Sequence, residues 1–419
     1  MEIQNVTSRQ ILDSRGRPTL ETTVHLDTGD SGTASVPSGA STGSHEALEL
    51  RDRDAHVYLG QGVLTAINNV TGPIAKVVKG IDVRDQRAID QAMLQLDGTM
   101  NKSTLGANAM LSVSLASMRA NAALQKQTLF RAIQQSYELP DIDPKKMPRP
   151  MMNIINGGKH ADDGLAIQEF MIVPDGATMA ERIERGSNVY HVLGKILKEK
   201  KLSSLIGDEG GYAPRLSEDM AALELLVEAV SAAGYTMPTD MALAIDFASQ
   251  SFYDASSKRY QFGKTKGGLT AVGMVGVLEE WLQKFPMISY EDPLAEDDWE
   301  GWTDLTKKLN GKVIIVGDDL FVTNRSRLDR GVSTGAANAI LIKPNQIGTL
   351  SETIDTIVAA QEANYTTIVS HRSGETDDTF VADLAVAVAA PFIKAGAPAR
   401  GERVAKYNRL LAIEQELTA

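Results

Sequence analysis

Six short apolar runs in the second half of the chain each stop on an ionisable residue, and this recurrence limits the fold more than any other feature. Met241-Ala-Leu-Ala-Ile ends at Asp246, and Met287-Ile-Ser-Tyr ends at Glu291-Asp292-Pro293. Val313-Ile-Ile-Val-Gly ends at Asp318-Asp319, and Ala339-Ile-Leu-Ile ends at Lys343-Pro344. Thr367-Ile-Val ends at Ser370-His371-Arg372-Ser373, and Phe392-Ile ends at Lys394. An apolar run of this length between helical stretches reads as a buried strand of a parallel sheet. The ends recur roughly every 25 residues, the length of a strand plus its return helix in a (β/α)8 barrel. Right-handed crossovers put the C-terminal ends of such strands on one face. An ammonium at the end of an apolar strand is costly to bury unless it faces a polar cavity, so that face is the candidate active site.

The rest of the chain reads differently. With 419 residues, two domains are expected, one of them large. Residues 1–36 read as strands, with Leu20, Thr22, Val24 and Leu26 alternating with polar neighbours. Val36 to Ser44 is a loop of small and hydroxyl-bearing residues that could close over a ligand. From about Gly62 to Leu129 the pattern is helical, and the stretch around Ala109 to Met118 is apolar enough to be buried on more than one face. The proline-rich, charged segment from Leu139 to Pro150 is the expected boundary. The fold class is therefore α/β, with an N-terminal α+β domain over residues 1–138 and a barrel over 139–419. One barrel helix is expected from Ser217, as N-cap, to Ala233, with Met220, Leu223, Leu226, Val227 and Val230 on its buried face and Gly234 ending it.

Composition excludes several classes. There is no cysteine, so disulfides and thiolate chemistry are out. A net charge of -12 disfavours DNA and other nucleic acid as nonspecific partners. No run is long enough for a membrane span, and Met1 to Gln10 lacks the regions of a signal peptide, so a cytoplasmic location is expected.

Asp246, Glu291 and Asp318 supply hard oxygen ligands without sulfur or clustered imidazole, which suits Mg²⁺. Lys343, beside that cation and Lys394, is expected to have a lowered pKa and to serve as a base. A metal beside a lysine base suits removal of a proton alpha to a carboxylate. The loops Asn153 to His160, Gln168-Glu169 and Gly207 to Tyr212 add a histidine and carboxyl groups, and Arg372 with Ser373 suits a phosphate. His25, His45, His56 and His191 lie outside this set. Gly263-Lys264-Thr265 resembles the end of a P-loop, but Lys258 occupies the required earlier glycine position.

Nearly end to end, these motifs resemble the enolase family. The resemblance is carried by Asp13-Ser14-Arg15-Gly16, Pro37 to Gly43, Gly207 to Gly211, Val316 to Leu320, Leu341 to Thr349 and Ser370 to Thr376. It implies a barrel with an irregular first half, ββαα(βα)6, and reversible dehydration of 2-phosphoglycerate to phosphoenolpyruvate. It further implies that Lys343 takes the C2 proton and Glu209 protonates the leaving C3 hydroxyl. Asp246, Glu291 and Asp318 would hold one Mg²⁺, and Ser41 a second that arrives with substrate. Arg372 and Ser373 would take the phosphate and Lys394 the carboxylate, while His160, Gln168, Glu169 and His371 line the pocket. An acid-sugar dehydratase, or a non-catalytic scaffold or RNA-processing partner, are the alternatives. A homodimer or an octamer of dimers is implied, although the partners expected for Arg9 and Glu21 fall on Gln415 and Ala412. Gly273 and Gly276 stand where a helix should start.

Overall fold

The computed structural model describes residues 1–40, 42–160, 165–263 and 267–419. Three antiparallel strands, β1 (Ile3–Leu12), β2 (Pro18–Leu26) and β3 (Ser31–Ser35), form a sheet in that order. In β2, Leu20, Thr22, Val24 and Leu26 are buried while Glu21, Thr23 and His25 are half-exposed, the alternation expected of a sheet with one covered face. The helices α1 (Leu64–Asn69), α2 (Ala75–Val78), α3 (Gln86–Asp97), α4 (Ala107–Gln125) and α5 (Leu129–Ser136) follow. Helix α4 is buried on nearly every side, because it lies against the sheet on one face and other helices around the rest. At Gly32 the β3 backbone approaches α4 so closely that a Cβ would overlap the backbone of Ala116 and Ala120.

The second unit is a closed barrel. Its strands are β4 (Arg149–Asn156), β5 (Glu169–Pro174), β6 (Met241–Asp246), β9 (Met287–Glu291), β10 (Ile314–Gly317), β11 (Ala339–Ile342), β12 (Thr366–Ser370) and β13 (Phe392–Lys394). A separate two-stranded ribbon, β7 (Tyr253–Asp254) with β8 (Arg259–Tyr260), lies outside it. Strand β5 is antiparallel to both neighbours, and the remaining pairs are parallel. Two helices, α6 (Met179–Glu199) and α7 (Asp219–Ala232), precede β6. Helices α8 (Ala271–Lys284), α9 (Trp299–Leu309), α10 (Arg325–Thr334), α11 (Leu350–Glu362), α12 (Phe380–Ala387) and α13 (Gly401–Thr418) then return the chain from successive strands. The order is ββαα(βα)6.

The barrel interior is filled by Met151, Met171, Val173, Ala244, Val316, Ala339, Leu341, Ile368 and Phe392, so it is a packed core beneath the C-terminal face. Among the described residues, no helix is long and apolar enough to cross a membrane.

Two helix expectations need correction. Helix α7 begins at Asp219 with Glu218 at its N-cap and no side-chain cap, because Asp219 instead accepts from the backbone N–H groups of Ala166 and Ile167. Its buried face includes Ala222, Leu225 and Ala229, whereas Val227 is exposed. Leu223, Leu226 and Val230 are buried as expected, and Met220 is half-buried. Gly234 does end the turn, at φ +85°. Gly273 falls in the first turn of α8, where its N–H is capped by Thr270, and only Gly276 lies in the interior.

Candidate active site

The strand ends converge as the recurrence predicts. In the β6–β9 register Asp246 sits directly beside Glu291. Across the mouth, the Lys394 Nζ lies 2.9 Å from Glu291, 3.3 Å from Asp246 and 3.1 Å from Glu169. Burial opposes the ammonium charge, but Glu169, Glu291 and Asp246 outweigh it and hold Lys394 well above the ordinary lysine value. Gln168 donates to Asp246 at 3.4 Å. At the end of β10, Asp292 accepts from the N–H groups of Asp318 and Asp319, both at 2.8 Å, which fixes how Asp318 enters the site.

Lys343 ends β11 and donates to Asp318 at 2.5 Å. Gln346, one turn further on, donates to the other Asp318 oxygen at 2.9 Å. The lowered pKa expected for Lys343 is not what this arrangement produces. Burial does act to lower it, but the adjacent Asp318 carboxylate outweighs burial and raises it above the ordinary lysine value.

Opposite Lys343 stands a pair of carboxyl groups on separate segments. Glu209 rides on the loop after α6, where a Cβ on Gly207 would lie 2.6 Å from the His160 carbonyl oxygen and one on Gly211 2.8 Å from that of Asn153. Only glycine lets this loop press against β4 and carry Glu209 into the mouth. Glu209 accepts from Asn153 at 3.0 Å and lies 3.6 Å from His160 Nδ1 and 3.5 Å from His371 Nε2. Glu169, at the start of β5, is 3.9 Å from the same His160 nitrogen. Burial, then the neighbouring Glu209, push Glu169 well above the usual carboxylate range. Burial would raise Glu209 too, but His160, His371 and Arg403 pull it well below. The two carboxyl groups are thus pushed in opposite directions, Glu169 up and Glu209 down.

Arg372 donates to both oxygens of Glu46, at 3.0 and 3.1 Å, and to Asn345 Oδ1 at 2.9 Å. The Ser373 hydroxyl accepts from Ala40 N–H at 2.7 Å. The loop from the N-terminal domain thus lies over Arg372 and Ser373. The Asp13-Ser14-Arg15 motif supports this junction: Arg15 donates to the carbonyls of Ser38 and Gly39, and Ser14 to that of Ser373. Ser41 lies outside the described residues. One pocket, with about 250 Å³ of empty space, is lined by His160, Gln168, Glu169, Glu209, Lys343 and Lys394, together with Ser370 to Ser373. The sequence expectation missed Glu46, Asn345, Gln346, Asn153 as a direct partner of Glu209, and Arg403.

The comparison with known families agrees with this geometry. Residues 3–133 match the model for the enolase N-terminal domain, and residues 144–419 match that for the enolase C-terminal TIM barrel domain. The chain belongs to the enolase family. Membership implies use of a divalent metal, and this enolase-family site can be tested for it. Asp246, Glu291 and Asp318 offer only carboxylate oxygens, the donors that a hard cation prefers. Burial, then the neighbouring Asp246, raise Glu291 well above the usual range, as crowded carboxyl groups do. The Lys394 ammonium between Asp246 and Glu291 shows that the position accepts a cation. The residues fit. Among the described residues, the tightest groupings of candidate metal donors are instead His160–Glu169–Glu209, Asp292–Asp318–Asp319 and His45–Glu296–Asp297. The expected trio is paired with lysines: Lys394 bridges Asp246 and Glu291, and Lys343 takes Asp318.

Proposed function

We propose that this protein catalyses the reversible dehydration of 2-phosphoglycerate to phosphoenolpyruvate, as a hydro-lyase of glycolysis and gluconeogenesis. The observation that carries the reading is that a single pocket is lined by a lysine, a pair of carboxyl groups and an arginine–serine pair. Those three features match the three demands of the reaction: a base for C2, an acid for the C3 hydroxyl, and donors for a phosphate.

Lys343 would take the C2 proton onto Nζ. The C3 hydroxyl would leave as water, with its proton supplied from the Glu169–Glu209 pair. Glu209, which accepts a hydrogen bond from Asn153, would be the member that delivers it. Arg372 and Ser373 would bind the phosphate, and Lys394 would pair with the substrate carboxylate. Asp246, Glu291 and Asp318 would hold Mg²⁺, and Ser41 a second Mg²⁺ that comes with substrate. When bound, the metal supplies Lewis-acid stabilisation of the negative charge that C2 deprotonation places on the substrate carboxylate. Asp318 both keeps Lys343 protonated and belongs to the cation-binding set, so the basicity of Lys343 follows where Asp318 points.

A cytoplasmic homodimer or octamer of dimers is part of the proposal. Within the single chain, Arg9 and Glu21 pair with each other at 2.6 Å, which is consistent with the loss of their expected partners at Gln415 and Ala412. The test is an assay with Mg²⁺ and 2-phosphoglycerate that follows phosphoenolpyruvate absorbance, with EDTA as control. Folded protein without turnover would overturn the reading.

A further inference from the structure

The C-terminal helix α13 sends one side chain under the acid pair. Arg403 is fully buried, and its guanidinium touches two separate segments. One terminal nitrogen lies 2.6 Å from His371 Nδ1 and 2.6 Å from the Arg372 carbonyl. The other donates to the Ser373 carbonyl at 2.6 Å and to the Asp208 carbonyl at 3.1 Å. Asp208 immediately precedes Glu209, so one cation ties the Glu209 loop to the His371 loop.

The contact with His371 has a chemical consequence. A guanidinium has N–H donors and no acceptor. At 2.6 Å the His371 Nδ1 must therefore be the acceptor, which leaves the ring proton on Nε2. That nitrogen faces Glu209 Oε2 at 3.5 Å. Gly396 packs closely on both groups, since a Cβ there would lie 2.8 Å from Arg403 Cδ and 3.1 Å from His371 Cε1.

We infer that Arg403 is a positioning residue that fixes His371 as the neutral Nε2–H tautomer, so that the imidazole presents a donor to Glu209. The role rests on the function proposed above. When Glu209 gives its proton to the leaving hydroxyl, negative charge appears on the carboxylate that faces His371 Nε2–H and Asn153. A donor there stabilises the carboxylate state, whereas the other tautomer would present a lone pair and oppose it. His371 thus acts by turning this N–H toward Glu209 and needs no proton of its own to transfer.

Ring-nitrogen NMR of the ¹⁵N-histidine-labelled full chain tests this without turnover, with His371 assigned by the loss of its signals in His371→Gln. The expected result is a proton-bearing Nε2 and an acceptor-type Nδ1. In Arg403→Met the two tautomers should mix. The kcat should then fall about 10- to 100-fold, as when a group orienting a functional histidine is lost, with KM within about twofold, and Arg403→Lys should recover part of both signatures. A proton on Nδ1 in the unmodified protein would overturn the inference, as would an Arg403→Met spectrum unchanged at His371. Should Arg403→Met fail to fold, the spectrum of the unmodified protein still decides. A protein inactive toward 2-phosphoglycerate would sink the proposed function and leave the tautomer result standing.

Discussion

Arg372 and Glu46 face each other through two parallel hydrogen bonds of 3.0 and 3.1 Å across the junction of the N-terminal domain and the barrel. Both side chains are nearly buried. Glu46 presents to the guanidinium the same pair of oxygens that a phosphate would offer. Glu46→Gln should therefore weaken the junction in the absence of ligand, by about 1–3 kcal/mol for a charged hydrogen bond lost from a buried site. It should also gain more from phosphate in a thermal-unfolding series than the unmodified protein does. Equal gains would mean that Glu46 does not compete for Arg372.

Helix α3 supplies a pH-dependent contact to the barrel. Asp90 is buried and accepts from the Ser351 N–H and hydroxyl at the start of α11, at 2.9 and 2.7 Å. Burial raises it to about 6 in spite of these bonds. A carboxyl group whose folded value exceeds its unfolded one binds its proton more tightly when folded. Its contribution to stability therefore falls as pH rises from about 4 to about 6, and stays low above that. Asp90→Asn keeps an acceptor for Ser351 and removes this slope. At pH 7 the variant should be more stable by about 1–3 kcal/mol, and at pH 4 the advantage should vanish. Urea unfolding at both pH values measures this. A variant less stable at pH 7 would mean that the hydrogen bonds to the carboxylate outweigh its burial.

Most of the barrel was legible because each strand announces itself twice, by an apolar run and by the charge that stops it. Asp246, Glu291, Lys343 and Lys394 could be read that way, since a strand end needs only local sequence. The partners that complete the site could not. Glu46 reaches Arg372 from 326 residues away, and Arg403 reaches His371 from a helix that otherwise reads as an ordinary amphipathic terminus. Nothing local marks either one. Gly207 and Gly211 are demanded by their close approach to β4, which no local signal shows. The expectation for Lys343 counted a bound cation and Lys394; without the cation, Asp318 at 2.5 Å raises it, a contact that local sequence does not show.

The sheet-to-helix contact in the N-terminal domain offers a test of the fold itself. Gly32→Ala puts a methyl group into the backbone of α4 at Ala116 and Ala120, where no side chain can swing aside. Overpacking of this kind costs about 1–3 kcal/mol or more. The expected result is a lower denaturation midpoint, measured by circular dichroism. An unchanged midpoint would show that β3 and α4 are further apart than described.

Divalent metal should stabilise the protein before any substrate arrives. With Mg²⁺ at about 100 times its dissociation constant, mass action contributes about 2.7 kcal/mol. Glu291→Gln should lose most of that gain, and EDTA should remove it from the unmodified protein. A gain that survives Glu291→Gln would place the cation elsewhere.

The central claim is that Lys343 and the Glu169–Glu209 pair perform separate proton transfers on one substrate. Exchange of the C2 hydrogen of 2-phosphoglycerate with solvent deuterium, followed by NMR in the presence of Mg²⁺, tests it most directly. Lys343→Ala should abolish exchange, and Glu209→Gln should retain exchange while forming no phosphoenolpyruvate. Normal C2 exchange in folded Lys343→Ala would contradict the account.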